Sequence, residues 1–304
     1  MIKYLAAAAA LKLFSISPQT KRFYRHLGNT VGQQRRIRRG LPPQYLDRAK
    51  RLLALCERLD AARPGDRLLE LGTGWLHWES AVLRLFHDVE IHLFDVWDNR
   101  QLGAFKAYFR RLDEVMDDEL TTDDTQRERA HALLRAVLAA DSFDDVYELL
   151  GFQYEIDARG SLERFRDDSF NLVFSCNVLE HVDRESLPRF IADVRRVLKP
   201  GGLSIHQIDL GDHLAYYDGG VSVKNYLRYP DKAWKRFFEN EVQYFNRVQR
   251  PEWLEVFRQA GLELREEEAV AADIGAIEIE PSRRGLDDGD LRCKTLRLVH
   301  TKAR

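Results

Sequence analysis

The chain has 304 residues, of which 44% are hydrophobic and 11% are aromatic. This composition supplies a large core and excludes a disordered, collagen-like or coiled-coil protein. Lysines and arginines number 47 against 49 aspartates and glutamates, so the net charge of −2 gives no overall field for holding a polyanion such as a nucleic acid.

The first 40 residues form a basic arm, with nine lysines and arginines and no acidic residue. The apolar run over residues 4–11 is closed by Lys12, and its eight residues fall far short of the roughly 20 that cross a bilayer. Two interpretations stay open. One is an interfacial helix that brings residues 1–40 into peripheral contact with anionic lipid. The other is an Ala-rich helix packed on the protein with its charges in solvent.

A strand-helix-strand unit follows the arm. Helical periodicity over residues 45–60 precedes a short apolar run at 67–71, which enters a turn with two glycines. A strand running into such a turn is typical of nucleotide-binding α/β units. A helix is then predicted over 78–86 and a second strand over 89–94, which stops at Asp95.

The rest of the chain continues to alternate, with two longer interruptions. Residues 98–150 have a charged, helical pattern and are too long for an ordinary α/β connection, so we interpret them as a helical insertion. Residues 211–250 are rich in aromatic and basic side chains and form a predicted cap, with the aromatics either in its core or stacked on a ligand. The other predicted elements are strands at 152–156, 170–175, 203–208, 262–265 and 291–300, and helices at 187–198 and 252–260.

This order predicts an α/β fold with a doubly wound, mostly parallel, seven-stranded Rossmann-like sheet and helical insertions. We expect the basic arm and first helix over residues 1–60 and one domain over 61–304. The ligand should lie at the carboxyl ends of the first two strands.

The turn after the first strand points to a nucleoside. Two glycines let the backbone approach a ligand, and Asp95 ends the second strand, where a carboxylate can accept hydrogen bonds from ribose hydroxyls. A plain tight turn and a helix cap are the structural alternatives. His77 stands where a dinucleotide fingerprint has its third glycine, which favours a nucleoside without a diphosphate and disfavours a nicotinamide oxidoreductase.

Four ordered pieces of the sequence, LLELGTGW, HLFD, DDSFNLVFSCNVLEHV and RVLKPGG, resemble the class I S-adenosylmethionine-dependent methyltransferases. The resemblance covers residue 68 to about residue 208. It implies S-adenosyl-L-methionine as cofactor, with ribose on Asp95, adenine beside Asp157 and Ala158, and Asn177 on the floor under the sulfonium. It also implies that the amino acid part of the cofactor is framed by Glu70, Gly72, Thr73 and Gly74.

Methyl transfer to a hydroxyl needs a base. The candidates follow the fourth and fifth strands, and we predict His213, then His181 and Asp209, with Glu180, His206 and Asp212 as weaker alternatives. Some related enzymes bind a divalent cation through a Glu-x-x-Glu-His run. Because Asn177 replaces the first of those glutamates here, we expect no metal, and a site made by Glu180, His181 and a later histidine remains the alternative.

The favoured function is methylation of a small or medium acceptor, a hydroxyl of a sugar, lipid-linked glycan or other metabolite. An RNA methyltransferase that uses the arm as a phosphate contact is the first alternative, disfavoured by the net charge, and a non-catalytic scaffold that binds S-adenosylmethionine is the second. Three scattered cysteines without a C-x-x-C pair favour the cytoplasm, with peripheral contact at the inner membrane face. The sequence leaves the acceptor atom and the oligomeric state open.

Overall fold

The computed structural model describes residues 1–120 and 123–304. Its helices are α1 (Ile2–Phe14), α2 (Pro18–Leu27), α3 (Gln33–Arg39), α4 (Pro43–Leu59), α5 (Trp78–Phe86), α6 (Leu102–Glu119), α7 (Asp124–Ala139), α8 (Phe143–Leu150), α9 (Leu187–Val197), α10 (Asp231–Phe237), α11 (Arg250–Gln259) and α12 (Asp288–Arg292). Its strands are β1 (Arg67–Leu71), β2 (Glu90–Asp95), β3 (Phe152–Ile156), β4 (Phe170–Cys176), β5 (Leu198–Asp209), β6 (Leu262–Ala271) and β7 (Cys293–Lys302). Within this described part of the chain, every helix is too short or too polar to cross a bilayer.

The seven strands form one sheet in the order β3-β2-β1-β4-β5-β7-β6. β1 pairs in parallel with β2 and β4, and β2 pairs in parallel with β3, whereas β6 and β7 are antiparallel. The predicted fold class is therefore confirmed.

Two strands extend beyond their predicted ranges by five residues or more. β5 begins at Leu198 rather than at residue 203, so the strand includes the glycine-containing turn that seemed to precede it. β6 runs to Ala271 rather than to residue 265, because its pairing with β7 continues across two irregularities in register. β6 is an edge strand, and most of its side chains are exposed and many of them are polar. Its sequence beyond residue 265 therefore lacks the apolar alternation that predicts a strand.

The chain divides into two compact units. The glycine-turn unit comprises His26–Phe174, Arg196–Leu203 and Arg304, and the cap unit comprises Met1–Arg25, Ser175–Arg195 and Ser204–Ala303.

The core of the glycine-turn unit is built on the parallel strands β1 to β4, of which β4 belongs to this unit as far as Phe174. The apolar side chains of β1 and β2 are almost completely buried, as are all residues of α5 except Arg84. Helices α4 and α7 both contact α5, and α6 contacts α7. This packing fixes the backbone on both sides of the turn that joins β1 to α5.

The cap unit has an aromatic core to which α1 contributes. Tyr4, Ala8 and Leu11 of α1 are buried in one cluster with side chains from the predicted cap, namely Leu214, Tyr226, Leu227, Trp234, Phe238 and Phe245. The Tyr4 hydroxyl donates to Asp212 Oδ2 at 2.9 Å. Four of the nine aromatics of residues 211–250, Tyr226, Trp234, Phe238 and Phe245, thus form core.

Two of the cap's cations are internal as well. Lys224 is fully buried, and its Nζ donates to the Leu210 carbonyl at 3.1 Å and to Gln249 Oε1 at 3.0 Å. Arg247 is buried over the Trp234 ring at 4.8 Å and forms an ion pair with Asp231. Both cations therefore bind groups of the cap unit itself, and their contacts connect its loops.

Candidate active site

The turn after β1 exposes backbone at its second glycine. Gly72 and Gly74 have φ of +62° and +66°, a left-handed conformation that glycine adopts without steric cost. A Cβ added at Gly74 would meet only the Gly72 carbonyl oxygen, at 3.9 Å, so the space beside it is open. The Gly72 N–H donates to the Phe94 carbonyl at 2.8 Å, which holds the turn against the end of β2.

Asp95 connects the end of β2 to this turn. Its Oδ2 accepts from the Gly74 N–H at 3.0 Å and its Oδ1 accepts from the Val96 N–H at 2.7 Å. The carboxylate is buried, and desolvation raises the pKa of Asp95 while the backbone N–H groups oppose that rise. Each carboxylate oxygen has two lone pairs, so Asp95 can hold the turn and still accept from a ligand.

Glu70 lies behind the turn rather than on its open side. The Thr73 hydroxyl donates to Glu70 Oε2 at 3.0 Å, and the Ser80 hydroxyl donates to the same oxygen. Burial, followed by the charge of Glu79, raises the pKa of Glu70 to about 8. The direct partners of Glu70 are therefore the side chains that shape the turn.

His77 extends this buried network toward the insertion. Because the Thr73 hydroxyl gives its proton to Glu70, His77 Nδ1–H donates to Thr73 Oγ1 at 2.7 Å, and Nε2 accepts from the Tyr147 hydroxyl of α8 at 2.8 Å. Burial, followed by the charge of Arg100, lowers the pKa of His77 to about 3, so the ring is neutral. From the sequence alone, His77 was notable only because it stands where a dinucleotide fingerprint has a glycine, and its hydrogen bonds were not predicted.

Asp157 and Ala158 follow β3 at the neighbouring strand end. The Asp157 N–H donates to the Asp95 carbonyl at 3.1 Å, and Ala158 is exposed. Arg159 donates to both oxygens of the Asp157 carboxylate, at 3.2 and 3.0 Å, and lowers the pKa of Asp157. A ligand that bonds to this carboxylate has to share it with Arg159.

A residue of the basic arm packs beside the turn. The Arg36 guanidinium lies 4.6 Å from the Trp75 ring centroid and donates to Gln101 Oε1 at 3.0 Å. Trp75 also packs edge-on against Tyr108 of α6, with centroids 5.1 Å apart. Sequence reasoning missed this role, since Arg36 gave no signal beyond its positive charge.

In the cap unit, two of the predicted bases lie side by side. His181 Nδ1–H donates to the Tyr244 carbonyl at 2.6 Å, which leaves the lone pair on Nε2. The His213 ring lies 5.0 Å from the His181 ring, and His213 Nε2 is 4.0 Å from Asp209 Oδ2. Burial, followed by the neighbouring His181, lowers the pKa of His213 to about 4.

The surroundings of this pair are aromatic. His213 stacks on Tyr216 with centroids 5.6 Å apart and packs on Phe245 at 4.6 Å. The Tyr216 hydroxyl and the Gly211 N–H both donate to Asp209, so the carboxylate is fixed in place. Asn177, after β4, has φ of +56° and an exposed side chain, and its N–H donates to the Gln207 carbonyl at 2.8 Å.

Glu180 is the least satisfied polar side chain of this cluster. It is 2% exposed, both carboxylate oxygens have no hydrogen-bond partner among the described residues, and burial raises its pKa well above the ordinary value. Glu180 lies close to His181 and His213: one potential ligand atom from each of the three residues is within 4.8 Å of the other two. This spacing would allow all three to coordinate one divalent cation.

Two of the three weaker candidates for a base have structural roles. His206 is fully buried between the hydroxyls of Ser175 and Ser204, each 2.7 Å from a ring nitrogen. Asp212 is buried and accepts from Tyr4 and from the Leu214 N–H. Both groups are used within the core of the cap unit.

Comparison with known proteins decides the family. The family model described as a methyltransferase domain matches residues 38–267. The chain belongs to this methyltransferase family. The resemblance that the sequence motifs carried, to class I S-adenosylmethionine-dependent methyltransferases, is confirmed.

Solved structures with a similar fold include other methyltransferases. The Haemonchus contortus phosphoethanolamine N-methyltransferase 2 in complex with S-adenosyl-L-methionine is 15% identical, with a TM-score of 0.47 over 84% of this chain and 52% of that chain. A chain of the complex between the Haloferax volcanii Trm112 methyltransferase activator and a methyltransferase is 17% identical, with a TM-score of 0.45 over 86% of this chain and 98% of that chain. No curated protein matches the sequence.

The methyltransferase uses S-adenosylmethionine, and the residues of the glycine-turn unit fit this cofactor. The open space at Gly74 admits a ligand against the backbone, and the Asp95 carboxylate keeps lone pairs for hydroxyl groups. Two buried oxygens of the same unit, Tyr154 Oη and Asn99 Oδ1, have no partner among the described residues and are available to a polar ligand. A dinucleotide site has its third glycine at the position of His77. Here that position carries a buried imidazole that is hydrogen-bonded to Thr73 and Tyr147, which does not fit a diphosphate site.

Proposed function

We propose that this methyltransferase methylates a hydroxyl of a small or medium acceptor, such as a sugar, a lipid-linked glycan or another metabolite. The observation that carries the proposal is the arrangement of His213, His181 and Asp209. Two imidazoles lie 5.0 Å apart beside a carboxylate, and His181 already has its Nδ1–H fixed on the Tyr244 carbonyl. An amine or a thiolate acceptor would have less need of such a proton-accepting cluster.

Within the glycine-turn unit we assign the cofactor contacts as follows. The backbone of Gly72, Thr73 and Gly74 would border the amino acid part, and Asp95 would hold the ribose hydroxyls. Asp157 and Ala158 would lie beside adenine. Glu70 would act through Thr73 and Ser80 as a positioning residue, because its hydrogen bonds go to those side chains. Asn177, which the resemblance of the sequence motifs places under the sulfonium, stays a prediction.

S-adenosylmethionine, when bound, supplies a methyl group that its sulfonium has already activated. The protein's part is to remove the acceptor's proton. The pKa of His213 is about 4, so its ring is neutral at physiological pH and has an unprotonated nitrogen, but it is a weak base unless a neighbouring charge stabilises the imidazolium. Asp209, with Oδ2 4.0 Å from His213 Nε2, then stabilises the imidazolium.

The aromatic surroundings support this role. Tyr216 and Phe245 pack on the ring of His213, whose side chain is 12% exposed, and this partial burial strengthens the interaction of the imidazolium with Asp209. Hydrogen bonds from Gly211 and Tyr216 hold the carboxylate, so little rearrangement is needed when the charge forms.

The net charge of −2 argues against an RNA acceptor. Arg36 packs on Trp75, and Lys224 and Arg247 are buried, so these three cations are engaged inside the protein, whereas Lys3, Arg22, Arg35 and Arg38 are exposed. Cytoplasmic location is part of the proposal, and it is supported by the absence of a disulfide among the three cysteines, all of which lie in the described part of the chain.

The test is methyl incorporation from labelled S-adenosylmethionine into cell extract that is separated into lipid, glycan, RNA and protein fractions. We expect label in the lipid-linked or free glycan fraction and loss of at least about a hundredfold in rate with His213→Ala, in line with general base catalysis. Calorimetry should show that His213→Ala still binds S-adenosylmethionine. Label in the RNA fraction, or no label in any fraction with cofactor binding intact, would replace this proposal by the RNA or scaffold alternative.

A further inference from the structure

Helix α1 is apolar on two opposite faces. Tyr4, Ala8 and Leu11 face the aromatic core of the cap unit and are buried. Residues 2, 5 and 13, at about 100° per residue, fall together on the other side of the helix, and residue 16 continues the same line just beyond it.

This second face is exposed to solvent. The exposed fractions are 85% for Ile2, 48% for Leu5, 63% for Leu13 and 72% for Ile16. Single exposed apolar residues are ordinary, but here they form a stripe along a helix of 13 residues, which is about 20 Å long. An exposed apolar stripe of this kind is typical of a surface that binds a membrane or another protein.

The side-chain charges of the segment that carries the stripe are all positive, although the amino terminus pairs with Asp218 and Lys21 pairs with Glu241. Residues 1–25 contain five lysines and arginines and no acidic residue. Lys3 and Arg22 are exposed, and so is Phe23 of α2, at 54%. An apolar stripe in a basic, acid-free segment is complementary to the surface of an anionic bilayer, whose headgroups attract cations and whose acyl chains take up apolar side chains.

We propose that α1 docks this methyltransferase on an anionic phospholipid surface, with the stripe of Ile2, Leu5, Leu13 and Ile16 inserted at the headgroup boundary. The helix lies in the plane of the interface, because at about 20 Å it is shorter than the roughly 30 Å hydrocarbon core of a bilayer. A second copy of this chain fits the stripe less well. A two-fold contact would place the basic segment against itself.

This inference goes beyond methyl transfer and does not depend on which acceptor is methylated. Its test uses the purified full chain, without cofactor, and co-sedimentation with vesicles of phosphatidylcholine alone or of an equimolar mixture with phosphatidylglycerol. We expect the partition coefficient for the anionic vesicles to be at least about tenfold higher than that for the neutral vesicles.

Two variants separate the apolar and the charge contributions. Leu5→Ser/Leu13→Ser and Lys3→Glu/Arg22→Glu change exposed side chains and should each lower partitioning at least about tenfold. Leu264→Ser is the matched control, because Leu264 is 47% exposed on β6, outside the basic segment, and should leave partitioning unchanged. Unfolding curves of all four proteins report whether the fold is retained.

Three results would overturn the proposal. The first is equal or absent binding of the wild type to both kinds of vesicle. The second is unchanged partitioning in either Leu5→Ser/Leu13→Ser or Lys3→Glu/Arg22→Glu. The third is a dimer in light scattering that Leu5→Ser/Leu13→Ser dissociates, which would give the stripe to a second copy of the chain.

Discussion

His77 Nε2 accepts a hydrogen bond from the Tyr147 hydroxyl at 2.8 Å, which joins the glycine turn to α8 of the helical insertion. The same imidazole reaches Thr73 through Nδ1, and Thr73 reaches Glu70. The insertion therefore supports the backbone of the proposed cofactor site from behind.

Removing this hydroxyl should destabilise the protein. In Tyr147→Phe the buried Nε2 of His77 loses its donor, and an unsatisfied buried acceptor costs about 1–3 kcal/mol in the free energy of unfolding. Denaturant unfolding measures this loss. The control is Tyr217→Phe, whose exposed hydroxyl donates to Gln243 at 3.1 Å and should contribute less than about 0.5 kcal/mol. Equal effects of the two substitutions would contradict the role of the network.

Arg36 should matter for cofactor affinity in a way that its basic neighbours do not. Arg36→Ala removes the cation that packs on Trp75 and the donor to Gln101, so the residue next to the glycine turn becomes free to move. We expect the dissociation constant for S-adenosylmethionine to rise about 3- to 30-fold, as for a partly buried cation–π contact. Arg35→Ala and Arg38→Ala, which change exposed residues of the same segment, should leave it unchanged. A uniform effect of the three substitutions would favour a purely electrostatic arm.

Local sequence patterns located much of the sheet. β1 and β3 begin and end where they were predicted, because β1 is a short, mostly apolar run, β3 alternates apolar and polar residues, and turn residues flank both. The predicted range of β6 is too short, because residues 266–271 pair with β7 but show no alternation of apolar and polar residues that would predict a strand.

The contacts that build the site were beyond such patterns. Tyr4 meets Asp212 across 208 positions of sequence, His77 meets Tyr147 across 70, and Arg36 meets Gln101 across 65. Only tertiary packing brings these residues together. The assignment of cofactor and catalytic roles to single residues stays a prediction that the measurements proposed for them have to test.

Buried histidines should make stability depend on pH. Burial, followed by the neighbouring His300, lowers the pKa of His206 to about 3, against an ordinary value of 6.5. The unfolded chain binds this proton below pH 6.5 and the folded chain does not, so His206 makes the wild type lose stability as pH falls toward 3, by up to about 1.4 kcal/mol per pH unit.

The comparison with His206→Gln isolates this effect from other titrating groups. Glutamine does not titrate, so the stability advantage of the wild type over the variant should shrink between pH 7 and pH 5. Denaturant unfolding at several pH values measures the difference. A difference that is constant with pH would show that His206 is not held neutral by burial.

Metal removal separates two uses of the His181 and His213 pair. If His213 accepts the acceptor's proton, activity should be unchanged after dialysis against EDTA and should not respond to added Mg²⁺, Mn²⁺ or Zn²⁺. Activity lost with EDTA and restored by one of these ions would assign Glu180, His181 and His213 to a cation instead. Glu180→Gln gives a second readout, because it should then weaken binding of the restoring ion.

The most direct test of the account is calorimetric titration of the wild type and of Asp95→Asn with S-adenosylmethionine. The amide keeps an acceptor for the Gly74 N–H but loses the charge that hydrogen-bonds the ribose, so we expect an affinity about 10- to 100-fold lower. Asp60→Asn, at an exposed helix end, is the control and should bind like the wild type. Equal affinity of Asp95→Asn and wild type, or binding of NAD in place of S-adenosylmethionine, would contradict the placement of the cofactor at this turn.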